Sequence, residues 1–275
     1  MAIRADNFDY IRRVLQQRSA IALTENKRYL VESRLSLVAR KSGLGSVDEL
    51  VDRLRATSEG PLWHEVVDAM TTNETSFFRD QTPFHILRET VFTQLLERRG
   101  RERTLRVWSA ACASGQEAYS LAMLWHEFCA ESPGWELKLL ATDISNEMLD
   151  RARAGRFTPV EVNRGLTEEQ RVKYFRNEGD DWRIDDALRS MVEFRQLNLI
   201  NTLPTLPQMD VILLRNVLVY FDLPTKQDIL SKLRRVLRPD GYLFLGGAET
   251  TLMIDDSFER ARANGGSFYR LKNRE

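Results

Sequence analysis

Residues 104–120 read TLRVWSAACASGQEAYS. Thr104–Cys112 form a β-prone run, Ala113–Gly115 are small enough for a tight turn, and Gln116 opens a helical stretch to about Glu131. A strand that turns into a helix through small residues is how a βαβ unit begins. Toward the C-terminus the pattern repeats. Glu136–Ile144 (ELKLLATDI) predicts a second strand, and Ser145 caps a helix to about Ala154. Met191–Leu199 predicts a third strand, and Met209–Leu214 (MDVILL) a fourth, apolar enough to be buried on both faces. Thr225–Leu237 is an amphipathic helix ended by Pro239, Asp240 and Gly241, and Tyr242–Leu245 and Ser267–Leu271 complete the strands. Strands alternating with helices predict an α/β chain with a mostly parallel, doubly wound sheet. The polar residues 155–190 interrupt the alternation and predict an inserted subdomain at one edge.

Toward the N-terminus the style changes. Phe8, Ile11 and Leu15 recur at helical spacing, and Val31, Leu35 and Val38 form the seam of a helix expected from Thr24 to Gly43. Ser46 and Glu49 make a capping box, and Pro61 suits the first turn of a fourth helix. Residues 1–70 are therefore expected to form an all-helical domain, 71–82 a linker, and 83–275 the sheet domain. Between Arg4 and Lys41 nine residues are basic and four acidic. Lys27, Arg34 and Lys41 recur every seven residues along one helix stripe.

Composition narrows the function. The chain has 275 residues, 40 basic and 40 acidic, so no basic excess marks a nucleic-acid binder. Two cysteines without a CxxC and three histidines make no metal set, and suit a reduced, cytoplasmic chain. No signal core and no run of about 18 apolar residues points to membrane insertion.

In open α/β sheets ligands bind beyond the carboxyl ends of the strands. The turn after the first strand keeps only Gly115, so the G-x-G-x-x-G of a nicotinamide enzyme is missing, and no lysine follows for a P-loop. S-adenosylmethionine carries no phosphates and needs neither. Asp143 ends the second strand, where a carboxylate can accept from both ribose hydroxyls or cap the next helix. Glu117, one turn into the first helix of the sheet, can pair with an ammonium, with a ribose hydroxyl or with the helix dipole.

Five segments then combine in order: TTNETSFFR at Thr71–Arg79, WSAACASGQEAYS at Trp108–Ser120, ATDI at Ala141–Ile144, RNVLVYF at Arg215–Phe221 and LRPDGYLFLGGAE at Leu237–Glu249. Together they resemble the chemotaxis-receptor methyltransferases, the CheR family, over essentially the whole chain. The resemblance implies a Rossmann-like class I S-adenosylmethionine-dependent methyltransferase sheet, with a helical N-terminal domain and a small inserted β-subdomain. It implies methyl transfer to glutamate carboxylates of membrane chemoreceptors, forming methyl esters and S-adenosylhomocysteine. It implies cofactor contacts from Asn73, Thr75, Arg79, Glu117, Asp143, Asn198, Leu199, Arg215 and Asn216. In this reading the amide of Asn198 reads the adenine, Leu199 covers it, and Arg79 neutralises the methionine carboxylate.

Arg98 or Arg99 and Tyr220 are candidates for orienting the glutamate, and Phe77 and Phe78 are expected to pack between the domains. Lys27, Arg34 and Lys41 are expected to dock an acidic receptor helix. The chain is expected to be monomeric, without metal, and to associate with receptor arrays at the inner membrane. GGAE at Gly246–Glu249 departs from the G-H-S-E common in the family, and Ala113 and Gln116 depart from its usual turn residues. The short stretch near Asn177–Trp182 predicts a member independent of the receptor pentapeptide. The alternatives are a methyltransferase with another acceptor and a non-catalytic module that kept the fold.

Overall fold

The computed structural model describes residues 3–57 and 59–272. Four helices open the chain: α1 (Ala5–Ser19), α2 (Arg28–Lys41), α3 (Val47–Arg55) and α4 (Pro61–Met70). Phe8, Ile11 and Leu15 meet Val31, Leu35, Leu50, Leu54, Val66 and Met70 in a core of their own. The Ser46 hydroxyl accepts from the Glu49 amide at 3.1 Å, but the Glu49 carboxylate closes on Gly45 N rather than on Ser46. The helix expected from Thr24 is split. Glu25–Lys27 form a 3-10 turn, α2 begins at Arg28, and the Thr24 hydroxyl bonds Asn26 instead of capping a helix.

A continuous helical run follows, made of α5 (Thr82–Ile86), a π-helical turn at Leu87–Phe92 and α6 (Thr93–Arg98). It leads into β1 (Thr104–Ala110), α7 (Gln116–Glu131), β2 (Glu136–Asp143) and α8 (Asn146–Ala154). The insertion holds β3 (Arg156–Phe157), α9 (Pro159–Asn163), α10 (Glu168–Tyr174), β4 (Phe175–Glu178), β5 (Asp181–Ile184) and α11 (Asp186–Ser190). The sheet resumes with β6 (Val192–Gln196), β7 (Met209–Leu214), α12 (Leu223–Val236), β8 (Leu237–Leu245), β9 (Phe258–Ala263) and β10 (Gly266–Leu271).

The main sheet runs β6-β2-β1-β7-β8-β10-β9, and β3-β5-β4 form a separate antiparallel sheet. The first five strands are parallel, while β10 is antiparallel to β8 and β9. Val211 and Leu213 of β7 face a core shared with α7, whereas Ile212 and Leu214 face one shared with α12, so both faces are covered. Two details differ from expectation. Pro239, Asp240 and Gly241 lie inside β8, where the register with β7 slips between Met209 and Val211; a proline without an N–H is accommodated at such an irregularity. The strand β9 was not expected at all. No helix among the described residues is long and apolar enough to cross a membrane.

Parallelism fixes which residues can share a site. β1 lies between β2 and β7, and the chain leaves it first in one direction and later in the other, which makes the switch point of the sheet. The carboxyl ends of five strands meet on that edge. The helix preceding β1 must therefore end on the opposite, amino edge. There Arg99 is buried, bonding Asp210 at 2.7 Å and Asp240 at 2.5 and 3.0 Å, and Arg98 donates to the Asp240 carbonyl at 3.2 Å. This corrects the expectation for Arg98 and Arg99: both brace the amino edge and neither reaches the switch point.

Candidate functional site

A cleft of about 150 Å³ opens at the carboxyl edge, between the sheet and the helical region. Its floor is the turn after β1. Ala111 (φ 60°), Ala113 (φ 48°) and Gly115 (φ 93°) all take left-handed backbone, so two alanines hold conformations that glycine would adopt without strain. Bare backbone is thereby presented to the cleft. At Gly115 a Cβ would come within 2.9 Å of Ala152 Cβ on α8, so no side chain fits there.

Asp143 ends β2 beside this turn and is 5% exposed. Its Oδ2 accepts from Ala113 N at 2.8 Å and its Oδ1 from Ser145 N at 2.9 Å. Burial raises the carboxyl above its ordinary value, and the amides of Ser145, Ala113 and Ile144 oppose that shift. The cap of α8 is Ser145, whose hydroxyl accepts from Met148 N, so Asp143 retains acceptor capacity toward the cleft.

Opposite Asp143, an ionic cluster ties the linker to the sheet. Arg215 follows β7, and its side chain is 1% exposed. It donates to Glu117 Oε2 at 2.9 Å, to the Arg79 carbonyl at 2.7 Å and to Asp80 Oδ2 at 2.7 Å. Glu117 Oε1 also accepts from the Ser109 hydroxyl at 2.8 Å. The loop held this way is strained, with Phe78, Asp80 and Gln81 at φ 46°, 65° and 44°. Asn73, Thr75 and Arg79 line the cleft along this wall, and Arg79 donates to the Glu74 carbonyl at 2.8 Å. Phe77 is fully buried, at 5.0 Å from Phe157 and 5.4 Å from Phe175, while Phe78 packs on Phe84. The paired aromatics thus pack within the sheet domain and its insertion, not against the helical core as expected.

Gly165 of the insertion touches the same loop. A Cβ there would lie 1.9 Å from the Phe77 carbonyl oxygen, and φ is +100°. Gly165→Ala is therefore expected to cost about 2–4 kcal/mol and to displace the linker. A thermal melt that matches wild type would contradict this.

Two other expected residues have different partners. The Asn198 amide donates to the Arg18 carbonyl at 2.6 Å and accepts from Ile200 N at 3.2 Å. It straps the end of β6 to the end of α1 while still lining the cleft. Arg34 turns inward and donates to the carbonyls of Ala69, Met70 and Thr71 at 3.3, 3.0 and 2.8 Å. It caps the C-terminus of α4 and is not part of an exposed stripe. Lys27 and Lys41 are exposed, with Tyr29 and Leu37 also exposed on the same segment. Tyr220 stands at the cleft mouth, 45% exposed, and Leu199 and Asn216 line the interior.

The sequence reading missed Ser19, Ile21 and Met70 from the helical region, and Leu197 after β6, all of which line the cleft. Nothing local marks the first two; they arrive through the Asn198–Arg18 strap. Cys112 also lines it, but burial pushes its thiol well up, and Cys129 is pushed up to about 11, so neither is a thiolate nucleophile at neutral pH.

The donor set fits S-adenosylmethionine. Asp143 offers acceptors for a ribose diol, Leu197, Leu199, Ile144 and Ile21 offer apolar surface for a base, and Glu117 and Arg79 offer opposite charges for an amino acid moiety. Arg215 Nε is buried without a partner among the described residues, a polar atom a bound ligand can satisfy.

Comparison with known proteins agrees. Residues 6–71 match the family described as "CheR methyltransferase, all-alpha domain", and residues 73–266 match "CheR methyltransferase, SAM binding domain". The chain is 43% identical over 276 residues to "Chemotaxis protein methyltransferase 1" of Pseudomonas aeruginosa, covering 98% of this chain and 99% of that protein. It is 40% identical over 271 residues to "Chemotaxis protein methyltransferase Cher2" of Pseudomonas putida, covering 97% and 98%. To the Escherichia coli "Chemotaxis protein methyltransferase" it is 34% identical, covering 94% and 89%.

Proposed function

The chain belongs to the CheR methyltransferase family, an S-adenosylmethionine-dependent group of enzymes, and from that premise we propose that it methylates glutamate side chains of membrane chemoreceptors. The observation that carries this reading is the cleft itself. A buried carboxylate, an apolar slot and an arginine cluster converge at the switch point.

S-adenosylmethionine, when bound, supplies an electrophilic methyl group on a positive sulfonium. Asp143 accepts from the ribose hydroxyls, Leu197 and Leu199 cover the adenine, and Arg79 holds the methionine carboxylate. Glu117 keeps one oxygen on Arg215 and has lone pairs left for an ammonium. Asn73 and Thr75 close the cleft from the linker, and Ile21 and Met70 exclude water from the helical side.

The acceptor glutamate is already ionised at neutral pH, with an unperturbed pKa of about 4.3, so no residue need take a proton from it. What remains is alignment of a carboxylate oxygen with a methyl carbon, which is a positioning task. Loss of both charges in the reaction is favoured where water is excluded. Tyr220, 45% exposed and lining the cleft, orients the acceptor in this reading.

The helical region, residues 1–70, docks the receptor in this reading. Its exposed Lys27 and Lys41, together with Tyr29 and Leu37, suit an acidic amphipathic helix. Lys27→Glu with Lys41→Glu is expected to raise KM for receptor membranes about tenfold, with a salt-sensitive difference and an unchanged S-adenosylmethionine affinity. An unchanged KM would remove these lysines from the interface.

In the insertion only Gly179 and Asp180 join β4 to β5, and so short a hairpin supports independence from a receptor pentapeptide. The proposed activity is tested with tritiated S-adenosylmethionine and chemoreceptor membranes, with and without the C-terminal pentapeptide. Equal labelling that is released as methanol in base is expected. Base-stable label would replace the glutamate with a nitrogen acceptor, and label only on pentapeptide-bearing receptors would reverse the independence.

A further inference from the structure

We propose that Glu249 is a positioning residue of the methyl-transfer site, setting the wall from which Tyr220 meets the acceptor. The acceptor side of this inference rests on the carboxyl-methylation reading above. The pairing of β7 with β8 ends at Leu214 and Leu245, and backbone N–H groups beyond it have no strand partner. The Glu249 carboxylate gathers four of them. Oε2 accepts from Gly246 N at 2.7 Å and Asn216 N at 2.8 Å; Oε1 accepts from Val217 N at 2.8 Å and Val219 N at 3.2 Å.

Glu249 is only 9% exposed, and its own amide bonds the Gly246 carbonyl at 2.9 Å, closing a turn that curls the side chain inward. Gly246 is what admits it. A Cβ at that position would lie 2.7 Å from Asn216 N, 2.8 Å from Asn216 Nδ2 and 2.8 Å from Glu249 Oε2. Asn216 itself sits at φ 60°, in the left-handed region that asparagine enters more readily than other non-glycine residues. The anchored segment runs directly into the turn Leu218–Tyr220 at the cleft mouth.

Glu249 reaches the cleft only through this backbone and makes no bond to Asp143, Leu197 or Leu199. It therefore belongs to the acceptor side of the site rather than to the adenosine side. Glutamine has the same shape but turns one oxygen into an NH₂, which points hydrogens at N–H groups. Aspartate keeps both oxygens but falls one methylene short.

The test uses the full chain, well below each variant's Tm, with two readouts. Amide hydrogen exchange reports anchoring without any acceptor. Glu249→Gln is expected to speed exchange at Asn216, Val217 and Val219 while residues 139–145 stay as in wild type. In the same variant kcat with receptor membranes is expected to fall about 100-fold, since small misplacement of a reacting group costs that much. S-adenosylhomocysteine affinity should stay within about threefold, and Glu249→Asp should recover part of the rate.

Unchanged exchange at the three amides would overturn the anchoring. Faster exchange with an unaltered kcat would reduce Glu249 to a purely structural role. A loss of cofactor affinity in step with kcat would move it to the cofactor side and overturn the assignment. A wild-type enzyme that labels no receptor would sink the acceptor reading, and the exchange data alone would then decide whether Glu249 anchors this wall.

Discussion

Asp143→Ala is expected to weaken S-adenosylmethionine binding by about 10²–10⁴-fold. The estimate follows from two hydrogen bonds to a charged acceptor, each worth about 1.5–3 kcal/mol, with about 1.4 kcal/mol per factor of ten. The variant also leaves the amides of Ala113 and Ser145 without their acceptor. That loss is partly offset, because burial already penalises the charged carboxylate.

The same burial gives a pH signature. Asp143 has a folded-state pKa above its unfolded value. Between the two values the folded state holds more protons, so the stability this residue contributes is full below the unfolded pKa and lost as pH rises through the folded one. Binding runs the other way. Ribose hydroxyls donate to the ionised form, so affinity falls as pH drops through the folded-state pKa. Asp143→Asn should lose this acidic limb. Calorimetric titrations across that range check both statements, and wild-type affinity in Asp143→Ala would exclude Asp143 from the site.

The second large effect is expected at Arg215. Removing one member of a buried pair costs about 3–5 kcal/mol, because the other charge stays buried. Glu117 is such a partner, at 12% side-chain exposure, whereas Asp80 at 53% adds little. Arg215→Met should therefore destabilise the fold by about 2–4 kcal/mol, mostly through Glu117. It should also free the strained 78–81 loop, which Arg215 holds at the Arg79 carbonyl and Asp80, and weaken cofactor binding at least about tenfold. Arg215→Lys should not rescue, since one ammonium cannot span three partners fixed by a planar fork. Full recovery by lysine, in melts and in titrations, would show that charge alone matters there.

Much of this was readable from the chain. Alternating periodicity identifies the doubly wound sheet, and a carboxylate closing β2 is the one side chain whose role its strand position suggests. Other features were readable but missed. FERARA and GSFYRL flank Asn264-Gly265, a strong two-residue hairpin signal, and β9 and β10 pair across it with φ 46° and 78° at the turn. Arg98 also fails on topology alone, since a helix feeding a parallel strand arrives at its amino end.

Arg34 and Asn198 are a different matter. Heptad spacing cannot tell an exposed arginine from one that caps a neighbouring helix, and only the meeting of α2 with α4 decides it. Asn198 bonds a carbonyl 180 positions away. Ala111 and Ala113 carry no local sign of left-handed backbone, because alanine there is tolerated under constraint rather than preferred.

The most direct test of how this cleft works is the structure of the chain with S-adenosylhomocysteine. The account predicts both ribose hydroxyls on Asp143, the adenine between Leu197, Leu199 and Ile21, and the sulfur toward Tyr220 on the β7 side. A nucleoside seated elsewhere, such as the groove lined by Arg106, Lys138, Glu193 and Met209, would contradict it.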